Sequence, residues 1–151
     1  MGVGAMIEHV QGAAGERLNE IARIWLAGNL DAHSFIDPDY WKHYFDVVKH
    51  DIAKSELFIF EENGHVQGFM GMDGHYIAGL FVAKGHRDQG IGSQLMDAAK
   101  QNHSELTLSV YEKNAHAYTF YRKRGFKEFQ HRADRVTGEF AINMRWKRRG
   151  R

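Results

Sequence analysis

Apolar residues recur along the chain with two different periods, and the switches between those periods outline its elements. From Glu16 to Leu30 they fall at Leu18, Ile21, Ile24, Trp25 and Leu26, a spacing that predicts an amphipathic helix. A second helix is expected from about Asp39 to His50, with Pro38 near its first turn and Trp41, Phe45 and Val48 on one side. Strands are expected at Ile7 to Val10, Leu57 to Glu61, Val66 to Met72 and Tyr76 to Val82. Asn63-Gly64 joins two of them with the residues a tight hairpin turn requires. Helical spacing returns from Gly90 to His103, with Ile91, Leu95, Ala98 and Ala99 on the core side. Leu106, Leu108 and Val110 then alternate with Thr107, Ser109 and Tyr111 as a further strand. A short helix opens at Asn114, and strands at Gly125 to Gln130 and Glu139 to Trp146 close the chain. The order predicts one mixed α/β sheet.

Length and composition narrow the class. The 151 residues suit one domain with a self-sufficient core. Residues 1–151 are therefore expected to form a single domain, with 1–5 as a leader remnant and 147–151 as a basic tail. No stretch reads as a membrane span, so a soluble, cytoplasmic protein with no membrane partner is expected. The chain has no cysteine, which removes disulfides, thiolate metal sites and a thiol nucleophile together. Twenty Lys and Arg against nineteen Asp and Glu leave no global field for nucleic acid. The run Arg145-Trp146-Lys147-Arg148-Arg149-Gly150-Arg151 reads as a solvated tail after the last strand, so a nucleic-acid partner is not expected. Ten scattered His without a His-Glu-x-x-His pattern predict no catalytic metal.

Two segments carry chemistry. In the first, the apolar run Leu80-Phe81-Val82 leads into Arg87-Asp88-Gln89-Gly90-Ile91-Gly92-Ser93, directly before a predicted helix. A helix N-terminus leaves backbone N–H groups unpaired, and glycines let a phosphate approach them. A P-loop is excluded because Ile91 and Gly92 stand where Lys and a hydroxyl are required, and a dinucleotide fingerprint because Gly90-Ile91-Gly92 is followed by Leu95. The second segment runs from Asn114 to Phe126 as Asn-Ala-His-Ala-Tyr-Thr-Phe-Tyr-Arg-Lys-Arg-Gly-Phe. Asn114 suits a helix start and Gly125 a left-handed end.

Arg87-x-x-Gly90-x-Gly92 resembles the pyrophosphate signature of the GNAT superfamily, the acyl-CoA-dependent N-acyltransferases. The second segment is similar to that family's Asn-x-x-Ala-x-x-Phe-Tyr-x-x-x-Gly-Phe motif. Phe69-Met70 and Asp31-Ala32-His33-Ser34-Phe35 further resemble its small bacterial single-domain type. The resemblance implies a mixed, mostly antiparallel GNAT-type central sheet flanked by helices. It also implies acetyl-CoA as acyl donor, with transfer directly to a primary amine of a small molecule, peptide or protein lysine. By the same resemblance, Arg87, Asp88, Gln89, Gly90, Ile91, Gly92 and Ser93 would hold the diphosphate, and Leu80, Phe81 and Val82 the pantetheine arm. The Phe81 and Val82 amides would face the thioester carbonyl, Asn114 would contact the arm, and Tyr121 would be the general acid to the leaving thiolate. Tyr118 and Tyr111 are the less favoured substitutes.

Two gaps remain in that reading. Many family members carry a carboxylate on the strand before the CoA ledge, but this one reads Gly74-His75-Tyr76-Ile77-Ala78-Gly79. His33, His43 and His75 are the alternative bases. For the acceptor, the stretch from Leu26 to Tyr44 combines Asp31, Asp37 and Asp39 with Phe35, Tyr40, Trp41 and Tyr44, which suits a cationic amine. A CoA-binding sensor or interaction module without turnover is the alternative function. The chain would act as a monomer or a homodimer.

Overall fold

The computed structural model describes residues 5–149 of the chain. Its elements are β1 (Met6–Gln11), α1 (Gly15–Ala32), α2 (Pro38–Ile52), β2 (Glu56–Glu62), β3 (His65–Asp73), β4 (Tyr76–Val82), α3 (Ile91–Asn102), β5 (Glu105–Tyr111), α4 (Ala115–Lys123), β6 (Lys127–Ala133) and β7 (Phe140–Lys147). They form a seven-stranded sheet in the order β1-β2-β3-β4-β5-β7-β6. Every neighbouring pair is antiparallel except β4 with β5. Asn63 and Gly64 have φ of 56° and 80°, the left-handed pair that the hairpin between β2 and β3 requires.

Each face of the sheet has its own core. Leu57 and Ile59 of β2 pack with Ile21 of α1 and Ile52 of α2, while Phe58 and Phe60 pack with Ile91, Leu95, Met96 and Ala99 of α3. A strand covered on both sides must be apolar at consecutive positions, which is why Leu57-Phe58-Ile59-Phe60 shows no alternation.

Element boundaries move by up to three residues from expectation. Gly125 does not begin a strand but ends α4, with φ of 92°. The Gly125 N–H donates to the Arg122 carbonyl at 3.1 Å and the Phe126 N–H to the Tyr121 carbonyl at 3.1 Å, a helix-ending pair that needs a left-handed residue. At the other end of the chain, β1 begins at Met6, and residues 1–4 of the expected leader lie outside the described residues. Of the expected basic tail, Gly150 and Arg151 also lie outside them. Arg148 is exposed and also anchored: its Nη2 donates to the Lys100 carbonyl at 2.6 Å and the His103 carbonyl at 3.2 Å, at the C-terminal end of α3. Among the described residues, no helix is long and apolar enough to cross a membrane.

The site is created by a failure of pairing. β4 and β5 are in register only at Tyr76 with Thr107 and Ile77 with Leu108. The next residue, Ala78, is an extra one against β3, because Gly79 pairs with Gly71 and Ile77 with Met72. Such a bulge bends its strand. Beyond it β4 leaves β5, and the sheet opens into a cleft.

Candidate active site

The cleft is the mouth of a cavity of about 1000 Å³, walled by β4, β5, the first turn of α3, α4 and the connection between α1 and α2. The hydrogen-bond ladder decides which β4 groups face it. The Ala83 N–H donates to the Gln67 carbonyl at 2.8 Å, and Phe81 is paired with Phe69 two residues earlier. Antiparallel pairs alternate between bonded and unbonded, so Phe81 is committed to β3 while Leu80 and Val82 turn their N–H and C=O groups outward. Arg87 Nε accordingly reaches the Val82 carbonyl at 3.1 Å. Of the two amides expected to face the thioester, Val82 points outward and Phe81 is taken up by β3, while Leu80 joins Val82 on the outward edge. The Phe81 ring lies on the other core, against Gly28 of α1 and Phe69.

The start of α3 is built for an anion. Asp88 and Gly90 are left-handed, with φ of 62° and 82°. The first helical bond runs from the Gln94 N–H to the Gly90 carbonyl at 3.0 Å, so the N–H groups of Ile91, Gly92 and Ser93 precede the helical ladder. Arg87, Asp88, Gly90, Ile91, Gly92 and Ser93 all line the cavity; Gln89 does not. Arg87 is also engaged by Asp31 at the end of α1, which holds the Asp31 carboxyl below its usual range by hydrogen bonding and charge. A second cation went unread in the sequence. Arg124, at the end of α4, hydrogen-bonds Ser93 Oγ and stacks 3.7 Å above the centre of the Phe120 ring.

Tyr121 lies on the opposite wall, in T-shaped contact with Phe120 and Phe126 at 5.4 and 5.7 Å. Burial, then the nearby Tyr76, pushes its hydroxyl up to about 12. Tyr118 is turned out of the site and hydrogen-bonds Glu128. Asn114 caps α4, its Oδ1 accepting the Ala117 N–H at 3.3 Å.

That cap belongs to a chain of three side chains. Asn29 Nδ2 donates to the Trp25 carbonyl at 2.9 Å, which leaves Oδ1 to accept from His33 Nδ1 at 3.1 Å. Asn114 Oδ1 is taken by its cap, so Nδ2 donates to His33 Nε2 at 3.2 Å. These partners fix a neutral imidazole protonated on Nδ1. Burial pushes His33 down to about 4, in agreement with a neutral ring. The ring is enclosed by Phe35, Trp41 and Tyr111 at 5.7, 5.4 and 5.1 Å.

The family described as Acetyltransferase (GNAT) domain matches residues 27–148, which include the bulged strand, the α3 turn, Asn114 and Tyr121. The chain belongs to the GNAT acetyltransferases. It is similar to peptidyl-lysine N-acetyltransferase YiaC of Escherichia coli (strain K12), with 34% identity over 119 residues covering 78% of this chain and 82% of that one. Peptidyl-lysine N-acetyltransferase YjaB of the same organism is 29% identical over 123 residues, 81% and 84% of the two chains. The solution structure of apo-form YjaB matches with a TM-score of 0.79 at 26% identity, over 93% of this chain and 96% of that one. A Bacillus anthracis str. Ames protein solved in complex with acetyl coenzyme A shares the fold with a TM-score of 0.56 at 24% identity, over 62% of each chain. The chain is an acyl-CoA-dependent N-acetyltransferase.

For a GNAT enzyme, several groups of this cavity could hold the donor. Outward N–H and C=O groups at Leu80 and Val82 match an amide-rich arm. The α3 amides with Arg87 and Arg124 match a diphosphate. The acceptor side departs from the sequence reading. Asp31 is paired with Arg87, Asp37 caps α2 by accepting the Asp39 N–H at 2.9 Å, and Asp39 is exposed. His43 and His75 do not line the cavity, and His33, which does, has both nitrogens occupied. The acidic group on this wall comes from a loop that the sequence reading passed over. Asp134, between β6 and β7, accepts a hydrogen bond from the Tyr111 hydroxyl at 3.2 Å. Burial and then Asp134 raise the Tyr111 and Tyr40 hydroxyls above their ordinary value. In sequence, Asp134-Arg135-Val136-Thr137-Gly138 reads only as a turn, so no local signal marked it.

Proposed function

We propose that this enzyme transfers an acetyl group from acetyl-CoA directly to the side-chain amine of a lysine in a peptide or protein, with Tyr121 as general acid. The observation that carries this reading is the meeting of three features in one cavity: the outward β4 edge, the amide-rich start of α3, and the Tyr121 hydroxyl. The peptidyl-lysine activity named for YiaC and YjaB supports the choice of acceptor.

Bound acetyl-CoA would supply an activated acyl carbon, which the amine nitrogen joins as the carbon–sulfur bond breaks. Outward N–H groups of Leu80 and Val82 offer hydrogen bonds to charge developing on the acyl oxygen. Raised to about 12, Tyr121 keeps its proton throughout the neutral range and is a donor, not a base. It gives that proton to the departing sulfur and regains one from the amine nitrogen through water. The burial that disfavours a Tyr121 anion disfavours a thiolate beside it as well, which keeps acid and leaving group matched. Starting from an ammonium, one proton is released to solvent per acetyl group moved.

Replacing Tyr121 by Phe keeps the packing against Phe120 and Phe126 and removes the proton. Expected is a fall in kcat of about 10² to 10⁴ with acetyl-CoA affinity within about twofold, read by thiol release and by calorimetry. Unchanged kcat would remove Tyr121 from the acid role. Incubation with acetyl-CoA and lysine peptides, read by mass spectrometry, tests the acceptor: acetylation confined to non-peptide amines would refute it.

A further inference from the structure

We propose that Asp134, fixed by its own loop and by Tyr111, is the recognition site for the cationic end of the acceptor lysine. The inference rests on the lysine reading above and names the residues that would select it.

Asp134 is held in place before any ligand arrives. Its Oδ1 accepts the backbone N–H groups of Val136 and Thr137 at 2.8 and 3.2 Å, and its Oδ2 accepts the Tyr111 hydroxyl at 3.2 Å. A carboxylate oxygen has a further lone-pair site, so Oδ2 retains capacity for a cation. Among the described residues, no Lys, Arg or His forms an ion pair with Asp134. Lys113 is committed elsewhere, paired with Glu139 at 3.0 Å and lying over Phe35. Asp88, the other carboxylate on the cavity wall, belongs to the loop that opens α3.

The surroundings select the rest of the ligand. Tyr40, Trp41 and Tyr111 line the same wall, with Tyr40 and Trp41 in T-shaped contact at 4.8 Å. Aromatic faces accommodate a methylene stem and attract a cation, while the carboxylate takes the ammonium by a charge-assisted hydrogen bond. A flexible apolar chain ending in one positive charge is the chemistry of a lysine side chain. An acidic acceptor would meet a like charge.

The test compares the wild-type enzyme with Asp134→Asn, which retains Oδ1 for the loop and removes the charge. Tyr111→Phe, which keeps the ring, serves as second variant. Expected for Asp134→Asn is a rise of about ten- to hundredfold in KM for a lysine peptide, with acetyl-CoA KM within twofold. Inhibition by the same peptide carrying norleucine, which keeps the four-carbon stem and lacks the ammonium, should be equal in both enzymes. Tyr111→Phe should raise the lysine-peptide KM less, and in the same direction. An unchanged lysine-peptide KM in Asp134→Asn, or a parallel loss of norleucine-peptide affinity, would overturn the inference while leaving the lysine reading intact. A wild type that acetylates no lysine peptide would overturn both.

Discussion

His33 joins the two sides of the cleft, and acid should weaken that junction in a calculable way. The unfolded chain protonates the imidazole near its ordinary value of about 6.5. In the folded enzyme burial holds it neutral down to about 4, because a second ring proton would displace the Asn114 Nδ2 donor and place a charge among Phe35, Trp41 and Tyr111. Between those values the unfolded state binds more protons, so its population rises as pH falls. The contribution is complete above about pH 6.5, is lost progressively toward pH 4 and is constant below that. At 1.36 kcal/mol per unit the full loss is about 3 kcal/mol, an upper bound for a ring that retains 9% of its surface in solvent. The control is His33→Gln, whose amide presents an N–H to Asn29 and an oxygen to Asn114 and does not titrate. Urea unfolding of both proteins from pH 7 to pH 4 cancels the carboxylates they share. Expected is a wild-type stability that declines relative to His33→Gln by about 2 to 3 kcal/mol across that window. A difference that does not change with pH would show that His33 is not held neutral and would refute the hydrogen-bond assignment of the Asn29-His33-Asn114 chain.

Two further substitutions probe the walls of the site. In Gly28→Ala the added Cβ would lie 2.5 Å from Phe81 Cδ1, so the Phe81 ring on β4 must shift; the helix-propensity gain of about 1 kcal/mol is offset by an overpacking cost of about 1 to 3 kcal/mol. Thermal unfolding should show equal or lower stability and kcat/KM should fall at least tenfold; full activity would show that β4 tolerates the displacement. Asp31→Asn frees Arg87 from its competing partner, so calorimetry should find acetyl-CoA bound more tightly by at most about fivefold, the gain shrinking at high salt. Weaker binding would mean that Asp31 orients Arg87 for the diphosphate.

The expected elements match the observed ones because their signals are local. Asn63-Gly64 needs left-handed backbone at both residues, and Leu18, Ile21 and Trp25 recur at helical spacing, so each element could be read without its neighbours. Gly125 carried two readings, a left-handed helix end and the first residue of a strand; its φ of 92° realises the first, and β6 begins only at Lys127. In the fold Phe126 is 1% exposed and completes the end of α4. The Ala78 bulge was illegible because a bulge is a relation between strands: it exists only once Gly71 faces Gly79 and Met72 faces Ile77.

The same division runs through the active site. The residues expected to hold the donor come from two stretches of sequence, and apart from Gln89 all of them line one cavity. A diphosphate is held chiefly by backbone amides, which demand glycines and a helix start at fixed spacing, and such demands are written locally. The acceptor wall has no such requirement. His33, Trp41, Tyr111 and Asp134 come from four separate segments, and each is an ordinary residue where it stands: a helix end, a helix face, a strand end and a turn. Only the opening of β4 from β5 brings them to one side. Asn114 belongs to both halves, since one side chain starts α4, which carries Tyr121, and also holds His33, which anchors the aromatic wall. Acceptor preference should therefore change by substitution at Tyr40, Tyr111 or Asp134 with donor affinity preserved. Removing the Asn114 amide should damage both together.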